Sequence, residues 1–497
     1  MRRAVQCATG GAVSLFLTLP AIAQTAPADQ QLPSAPAEQA SPTPSQSGAG
    51  APSQSPAPEA PTGIWQRSNL LGDIDGLRTL LGSYGISLGL SNTSEVFGNV
   101  SGGIQRGASG DGLTQFGIGV DTEKAFGWKG GTFNISGLWI YGPNFSTNYL
   151  GVLQTNSGIL AEPTVRLWEL WYQQVFLDGR ADVKLGLQSV DQEFMTSTNS
   201  SLFINTMMGW PMIPSADLYA GGPAYPLSSL GVRLRGRVNG NLTLLGGVFQ
   251  DNPPGGPFND DGQLLGSTRW GGNFNLRTGA LFLAEAQYSV PGEGALVTNG
   301  AKGPLPATYK IGLWYDTAAF PDQRYDNMGL SLADPNSNGT ALMHRNNFGI
   351  YGVWDQTVWA PGGDDPHALS VFLRPMGAPQ GDRNLINFSV NGGMTYKAPL
   401  QGRDGDTFGI GFGVANVSSR AAGLDQDTAF FSGTYVPVRG AETFLEITYQ
   451  MQVTPWWQVQ PDFQYFWMPG GGVANPKNPT QRIGNEAVFG LRTNVTF

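Results

Sequence analysis

The feature that most constrains the fold of this chain is the two-residue alternation of apolar and polar side chains at its end. One face of the segment 487–497 carries Ala487, Phe489, Leu491, Val495 and Phe497. The other face carries Gly490, Arg492, Asn494 and Thr496. In water the apolar face of such a strand needs a second sheet to cover it, whereas in a membrane lipid covers it and the polar face borders a wet lumen. The segment therefore predicts a strand between lipid and a lumen.

The same alternation recurs along the chain from Ile86 onward, in segments of about ten residues. That is the length a tilted strand needs to cross a membrane. With the terminal strand, the predicted strands are 86–96, 114–122, 131–141, 164–177, 181–190, 230–238, 241–251, 279–289, 307–317, 347–359, 367–375, 384–396, 406–416, 443–453, 456–466 and 486–497.

These segments predict an all-β fold, a transmembrane antiparallel β-barrel of sixteen strands, with the strand number resolved to within two. Sixteen to eighteen strands leave an aqueous channel, whereas eight are filled by their own side chains. A soluble β-sandwich or a β-solenoid would show the same alternation. Neither would combine it with an export signal, a terminal Phe and aromatic residues at the strand ends.

The first residues have the pattern of an export signal. Arg2 and Arg3 precede an apolar stretch from Gly10 to Ile22, and an A-x-A cleavage site ends at Ala23. We expect a signal peptide over 1–23 and a disordered tether rich in Pro, Ala, Ser and Gln over 24–62. The single cysteine lies inside the signal, so no disulfide is expected in the mature chain.

A short helical segment over 63–85 is expected to precede the barrel, which occupies 86–497. The helix itself is predicted over 70–81, because leucine and isoleucine recur there at helical spacing and Gly82 is a suitable C-cap. Three turns are too short to span a bilayer, so we expect a periplasmic element that packs near the lower rim of the barrel. Packing and gating of the lumen are both open roles for it.

The composition narrows the class of partners. Only 13% of the residues are charged, the mean hydropathy is −0.16, and no stretch after the signal is apolar enough for a membrane helix. The net charge of −9 argues against a nucleic-acid partner. The terminal Phe497 resembles the closing residue of bacterial outer-membrane barrels, which the barrel assembly machinery recognises. We therefore expect outer-membrane lipid and that machinery as partners.

A series of short motifs follows the tether in a fixed order. They are Trp65-x-Arg67-x-x-Leu70-Leu71-Gly72-Asp73, residues 95–103 (EVFGNVSGG), 127–131 (GWKGG), 166–174 (RLWELWYQQ), 221–226 (GGPAYP), 231–233 (GVR), Gln460-Pro461-Asp462-x-Gln464-Tyr465 and 469–471 (PGG). Together they resemble the carbohydrate-selective porins of the OprB family. The resemblance implies a sixteen-stranded channel in the outer membrane of a Gram-negative bacterium that passes glucose and other small sugars by diffusion.

The inward rows of the strands supply a candidate constriction. The predicted substrate-binding residues are Arg166, Glu169, Trp171, Gln173, Arg233, Arg235, Asp251 and Glu285. Arg and Glu can donate to and accept from sugar hydroxyls, and a Trp ring can stack on the apolar face of a sugar. The alternative is a solvated network of charges that stabilises the wall. Strict alternation places Arg166 in the phase opposite to Glu169 and turns Trp168 outward, so Arg166 fits the constriction least well.

The sequence does not decide between several other functions, nor between two positions for each of two predicted loops. The chain has two histidines, His344 and His367, without a pattern of paired ligands, so no metal, cofactor or catalytic residue is predicted. The alternatives are a general or oligosaccharide-selective porin, and a barrel without transport, either an outer-membrane enzyme or a structural outer-membrane protein. The segments 202–230 and 322–346 are predicted loops that either fold into the lumen or lie at the surface. Monomer and trimer are both compatible with the sequence.

Overall fold

The computed structural model of the chain describes residues 63–258, 263, 269–272, 274–291, 304–361 and 365–497. The expected signal peptide and tether, at 1–23 and 24–62, lie outside the described residues. No helix among the described residues is both long enough and apolar enough to cross a membrane.

Sixteen antiparallel strands close into one barrel, in which each strand pairs with its neighbours in the chain. The barrel strands are β1 (Ile86–Gly103), β2 (Gly107–Asp121), β3 (Gly131–Tyr141), β4 (Thr164–Phe176), β5 (Ala181–Gln188), β6 (Ser229–Arg237), β7 (Leu242–Gln250), β8 (Ala280–Val290), β9 (Ala307–Asp326), β10 (Ala341–Trp359), β11 (Ala368–Gly377), β12 (Ile386–Lys397), β13 (Thr407–Val417), β14 (Ala441–Thr454), β15 (Trp457–Trp467) and β18 (Gly484–Thr496). Two short strands, β16 (Ala474–Asn475) and β17 (Asn478–Arg482), form a separate ribbon. The predicted fold class and the sixteen predicted strands are confirmed.

The barrel closes where the last strand pairs with the first. β18 runs antiparallel to β1, from Gly103↔Gly484 at one end to Ser91↔Thr496 at the other. Phe489 and Leu491 are 55% and 51% exposed on the outer surface, while Arg492 is buried inside. The alternation at the end of the chain therefore has the predicted orientation, with its apolar face outward.

The two ends of the barrel differ in their connections. Both termini of the barrel lie at one end, here called the terminus end, and long connections lie at the other, the loop end. In the part of the chain that the structure describes, six α-helices lie outside the strands: α1 (Leu77–Ser83), α2 (Thr122–Phe126), α3 (Thr206–Gly209), α4 (Met212–Asp217), α5 (Ser419–Ser432) and α6 (Pro469–Gly472). Short turns such as 177–180 and 238–241 join strands at the terminus end.

The predicted helix over 70–81 is shorter and begins later than its leucine spacing indicates. Gly72, Ile74, Asp75 and Gly76 have φ angles of 58°, 52°, 53° and 87°. A right-handed helix cannot pass through residues in the left-handed region, so α1 starts only at Leu77. The segment attaches to the terminus end, where the Leu70 amide donates to the Thr496 carbonyl and Arg78 donates to the carbonyls of Leu88 and Phe497.

A β-bulge in β4 changes which of its side chains face the lumen. Ser136 of β3 pairs with Glu169, but the next residue, Gly137, pairs with Leu167, so Trp168 has no partner across the ladder. One extra residue reverses the inward phase above the bulge. Trp168 is buried, 5% exposed, rather than directed outward as predicted. Arg166 and Glu169 consequently both face inward, which strict alternation excluded.

Two connections from the loop end fold into the barrel. They are residues 142–163, here the first inward segment, and 189–228, here the second inward segment, and most of their residues are buried. Their apolar side chains, including Met207, Trp210 and Ile213, pack against wall residues such as Phe372 and Phe444. The core of the molecule therefore lies inside the barrel. Of the two alternatives for 202–230, the inward one is the observed one.

The second predicted loop, 322–346, is shorter than predicted, because strands enter it from both sides. β9 continues to Asp326 and β10 begins at Ala341, so only 327–340 connects them. Asp326 shapes the connection, because its carboxylate accepts hydrogen bonds from the amides of Met328 and Leu330 at 2.9 and 2.8 Å. This hairpin extends beyond the neighbouring strands at the loop end.

Candidate functional site

An arc of polar and charged side chains crosses the inner face of the wall from β4 to β9. It comprises Gln173, Asp182, Lys184, Arg233, Arg235, Glu285, Gln287 and Lys310, and is called the charged arc below. Alternation produces it, since Val232 and Leu234, on either side of Arg233 in the sequence, are 42% and 57% exposed on the outer surface. A charge on the lipid face would cost about 2–4 kcal/mol near the bilayer midplane, so inward placement is strongly favoured.

One residue of the second inward segment joins the arc. Glu193 lies between β5 and β6, and its Oε2 is 2.6 Å from Nε of Arg233. Glu193 also forms an ion pair with Lys184, and Arg233 forms one with Asp182. The network extends to Arg235, whose Nε is 2.6 Å from Oδ2 of Asp182. Three cations and two carboxylates thus meet in one cluster that ties the segment to the wall.

The electrostatic environment of Glu193 favours its ionised form. Burial by itself would raise the pKa of this carboxyl group, but Lys184 and Arg233 outweigh burial and lower the pKa to about 2. Each cation both attracts the carboxylate and hydrogen-bonds to it. Glu193 is therefore a fixed negative charge at neutral pH.

The exposed part of the cluster combines donors and an acceptor. The side chains of Lys184, Glu193 and Arg235 are 12%, 23% and 28% exposed, whereas Asp182 is fully covered. Trp171 is buried below Lys184, whose ammonium nitrogen lies 4.5 Å from the centre of its ring. A cation over an aromatic face is held by the ring quadrupole. Trp171 thus orients Lys184 toward the lumen.

Two of the predicted site carboxylates contact main chain of the second inward segment. Glu169 accepts a hydrogen bond from the Ser189 amide at 3.1 Å. Glu285 accepts one from the Met195 amide at 2.8 Å, and also from the Tyr351 hydroxyl at 2.8 Å. Both carboxylates are less than 5% exposed. In this arrangement they satisfy buried amides and fix the path of the segment.

The remaining predicted site residues fall into two groups. Gln173 belongs to the arc. Asp251 does not, because it lies four residues beyond Gly247, the partner of Arg233, or roughly 13 Å further toward the loop end. Its Oδ1 accepts a hydrogen bond from Thr278 at 2.7 Å. Arg166 also lies toward the loop end, beside a small cavity lined by Trp168 and Ser228.

The sequence profile of the family described as carbohydrate-selective porin, OprB family, matches residues 105–497. The chain belongs to the OprB family. Members of this family are channels, so this porin is not an enzyme, and its specificity is for carbohydrate.

Individual relatives agree with the family assignment. Porin B of Pseudomonas aeruginosa is 26% identical over 458 residues, covering 86% of this chain and 91% of that protein. A high-pH structure of Pseudomonas putida OprB has a TM-score of 0.74 at 24% identity and covers 88% of this chain and all of that one. A low-pH structure of the same protein has a TM-score of 0.51 at 19% identity, covering 87% and 99%. The two structures support the sixteen-stranded fold.

On β11, two strands beyond the β9 end of the charged arc, one arginine secures the second inward segment of the porin. The Arg374 guanidinium of β11 is 1% exposed and donates to four main-chain carbonyls. These belong to Met195, Met207, Met208 and Gly209, at 3.0, 2.7, 2.5 and 2.9 Å. Its Nε donates to Asn391 of β12 at 2.8 Å. A guanidinium suits this role because its five N–H groups diverge in one plane.

Carboxylates of β14 secure both inward segments of the porin by accepting hydrogen bonds from main-chain amides, whereas Arg374 donates to carbonyls. Glu442 accepts hydrogen bonds from the amides of Leu153 and Gln154 at 2.8 and 2.7 Å. Glu446 accepts them from Ile204 and Asn205 at 2.5 and 3.1 Å. The wall therefore determines the width of the lumen, since it captures the main chain that narrows it.

Sequence reasoning missed several residues of the candidate site and of its anchors. Asp182 and Lys184 occupy alternate positions of a predicted strand, so the inward phase of β5 contained a signal for both. Glu193 follows the strand in a connection without periodicity and offered none. Arg374 lies on the predicted strand 367–375, but its carbonyl partners are far away in the chain and only the fold brings them close.

Proposed function

We propose that the chain forms a channel in the outer membrane of a Gram-negative bacterium, through which glucose and other small sugars diffuse passively. The observation that carries this proposal is the exposed part of the charged arc, where Lys184, Glu193 and Arg235 present donors and an acceptor side by side. A neutral sugar has hydroxyls that both donate and accept, so it can bind to all three groups. The family match supports the same substrate class.

Binding in such a channel is weak by design. Conduction requires a site favourable enough to be occupied and weak enough to be left. Each hydrogen bond between a hydroxyl and the arc replaces one to water, which limits its net contribution to about 0.5–1.5 kcal/mol, or up to about 3 kcal/mol at a charged group. Opposite charges in the same cluster also reduce selection for simple ions. Passage of uncharged, hydroxyl-rich solutes is the expected result.

The predicted roles of the buried site residues are refined within this proposal. Glu169 and Glu285 act as positioning residues, because each accepts an amide of the second inward segment. Trp171 positions Lys184. Arg233, also buried, positions Glu193. The sugar-contacting set is then Gln173, Lys184, Glu193 and Arg235. Phe497 is proposed as the recognition residue for the barrel assembly machinery.

Swelling of proteoliposomes tests the channel and its selectivity. We expect glucose to enter faster than an uncharged, non-sugar solute of equal size. Arg235→Gln should reduce the glucose rate toward that of the reference solute, because it removes an exposed cation from the arc. Arg106→Gln removes an equal charge from an exposed turn at the loop end and should leave both rates unchanged.

Three results would contradict the proposal at different levels. Equal rates for glucose and the reference solute would make the protein a general porin. Faster passage of longer saccharides than of glucose would make it oligosaccharide-selective. An unchanged glucose rate in Arg235→Gln would place the sugar contacts away from the charged arc.

A further inference from the structure

A small cavity lies behind the second inward segment, near the loop end of β4. It has a volume of about 10 Å³, enough for one water-sized species. Its polar side chains come from Arg166, Trp168 and Ser228, and Leu187 supplies an apolar wall. The main chain at Gly271 covers one side so closely that a Cβ atom there would lie 1.9 Å from the Leu167 carbonyl oxygen.

The polar groups of this cavity are donors without acceptors. Among the described residues, no hydrogen-bond partner exists for Nε and Nη1 of Arg166, for Nε1 of Trp168 or for Oγ of Ser228. The three residues are 4%, 5% and 8% exposed, so bulk water does not compensate them. Arg and Trp side chains can only donate, and a Ser hydroxyl can rotate to donate as well.

The described residues also supply no counter-charge to Arg166. Within the part of the chain that the structure describes, Tyr225 is the one ionisable side chain that acts electrostatically on it. Burial raises the pKa of the Tyr225 hydroxyl well above its ordinary value of 10, and the hydroxyl donates to the Ile159 carbonyl at 2.9 Å. Tyr225 is therefore a neutral phenol. Other buried arginines of the wall differ. Arg233 and Arg492 contact carboxylates, and the Arg374 guanidinium donates to four main-chain carbonyls.

We propose that this cavity binds one small monovalent anion, chloride in physiological media, held by Arg166, Trp168 and Ser228. A guanidinium stays protonated when it is buried, so an isolated one needs a counter-charge. A water molecule would accept from these donors but would supply no charge, and its own hydrogens would need acceptors. A monatomic anion accepts from every donor and neutralises the arginine. Polyatomic anions such as phosphate exceed the volume.

The β4 bulge creates this site. Arg166 and Trp168 are two positions apart, so regular alternation already places them on one face of the strand. The bulge turns that face inward. Without the bulge, that face would be the lipid face, because Glu169 and Trp171 occupy the inward phase below it. The anion then offsets the cation that the bulge brings into the wall. Anion binding is independent of the charged arc, so its test does not depend on sugar transport.

Bromide replaces chloride and can be located by anomalous scattering, which tests the proposal on the unmodified protein. Crystals of the whole porin, soaked in sodium bromide, should show an anomalous peak within hydrogen-bonding distance of the Arg166 guanidinium. The peak should be absent from Arg166→Met crystals and present in those of Arg106→Met, the matched loss of an exposed arginine. A cavity that is empty or holds water without anomalous signal would overturn the proposal.

Thermal unfolding gives a second readout in solution. At equal ionic strength, we expect a higher Tm in sodium chloride than in sodium gluconate, because only chloride fits the cavity and ligands of the folded state raise Tm. The difference should disappear in Arg166→Met and persist in Arg106→Met. Equal values of Tm for the unmodified protein in both salts would contradict the proposal, whether or not the variants fold.

Discussion

Glu193 is the side chain through which the second inward segment contacts the positive part of the wall. It bridges Lys184 and Arg233, which come from adjacent strands and would otherwise repel each other across the ladder. Removal of one partner from a buried charge cluster is costly, because the remaining charges lose their compensation. Glu193 therefore has two roles in the proposed channel, as a sugar-accepting group and as a tether of the segment.

The pH dependence of Glu193 follows from its lowered pKa. Its pKa falls from an ordinary 4.5 to about 2 in the folded protein. The stabilisation is therefore fully present above pH 4.5 and is lost as the pH falls through about 2. Glu193 should therefore cause no change in single-channel conductance or in its noise between about pH 7 and pH 4.5. At lower pH the noise should rise, because protonated Glu193 no longer holds the second inward segment.

Two variants separate Glu193 from its neighbours in these recordings. Glu193→Gln should show the raised noise already at neutral pH, whereas Glu123→Gln, in the short helix α2, should match the unmodified protein. A change near pH 6 would instead report Asp191, whose pKa burial raises to about 6, and Asp191→Asn should remove it. Quiet recordings from Glu193→Gln at neutral pH would contradict the tethering role.

At the scale of elements, the inward segments are held by side chains of the wall that capture main-chain groups. Glu442 and Glu446 accept amides, and Arg374 donates to carbonyls. Buried main-chain groups need such partners because the segments contain little regular structure of their own. Many anchors distributed around the wall define one path for the chain, and thereby one shape of the lumen.

Replacement of Arg374 should loosen the second inward segment while the barrel stays closed. Arg374→Met leaves four buried carbonyls without this donor, at about 1–3 kcal/mol for each one that finds no other partner. We expect faster hydrogen exchange of amides in 195–209, and a higher, noisier conductance. The barrel strands should keep their exchange protection, because their ladders do not involve the guanidinium.

Arg439→Met is the matched control for this prediction. Arg439 is also buried, 8% exposed, but its guanidinium pairs with Asp425 and donates to the Ala421 carbonyl, both of α5 at the loop end. It should lower stability without a change in conductance. Equal conductance in Arg374→Met and the unmodified porin would show that the other anchors suffice to set the lumen.

At the scale of the whole molecule, apolar side chains form two separate layers, one outside the wall of the barrel and one inside it. An apolar outer surface, including Val96, Leu234 and Leu491, faces the proposed lipid phase. A second apolar set fills the interior between the wall and the inward segments. A closed barrel permits this because every strand has two neighbours and no main-chain edge is left unpaired. The polar groups then concentrate on the remaining inner surface, where the charged arc lies.

Phe497 connects closure of the barrel with its assembly. Its amide donates to the Leu90 carbonyl at 2.9 Å, and its own carbonyl accepts from Arg78 at 2.5 Å. Deletion of Phe497 should greatly lower the amount of folded porin in the outer membrane, measured by heat-modifiable migration. The conductance of the molecules that do assemble should change little, because the residue lies outside the charged arc.

Phe497→Ala separates the two reasons for this dependence. It keeps the main-chain hydrogen bond to Leu90 and removes the ring. If recognition of the aromatic terminus is the limiting step, the variant should assemble as poorly as the deletion. Normal assembly of Phe497→Ala together with a failed deletion would assign the effect to closure of the barrel instead. Normal assembly of both would remove Phe497 from the assembly step.

Local patterns were sufficient for the strands of this protein. Alternation depends only on the two-residue period of a strand and on the contrast between lipid and water. Sixteen strands could therefore be predicted one segment at a time, and so could inward faces where no bulge interrupts the period. The prediction of a helix over 70–81 was wrong in its bounds. Leucine and isoleucine recur there at helical spacing, but the backbone passes through residues in the left-handed region. The family could be inferred from motifs for the same reason, because motifs are local.

Tertiary structure alone decided the bulge, the inward course of 142–163 and 189–228, and the partners of the buried charges. Each depends on contacts between residues that are distant in the chain, such as Arg374 with Met207 and Glu446 with Ile204. A sequence pattern indicates which side chains share a face of a strand, but it does not indicate which distant residues will contact that face. The sequence by itself therefore determined a sugar-porin barrel, and the packing inside that barrel decided which residues reach the lumen.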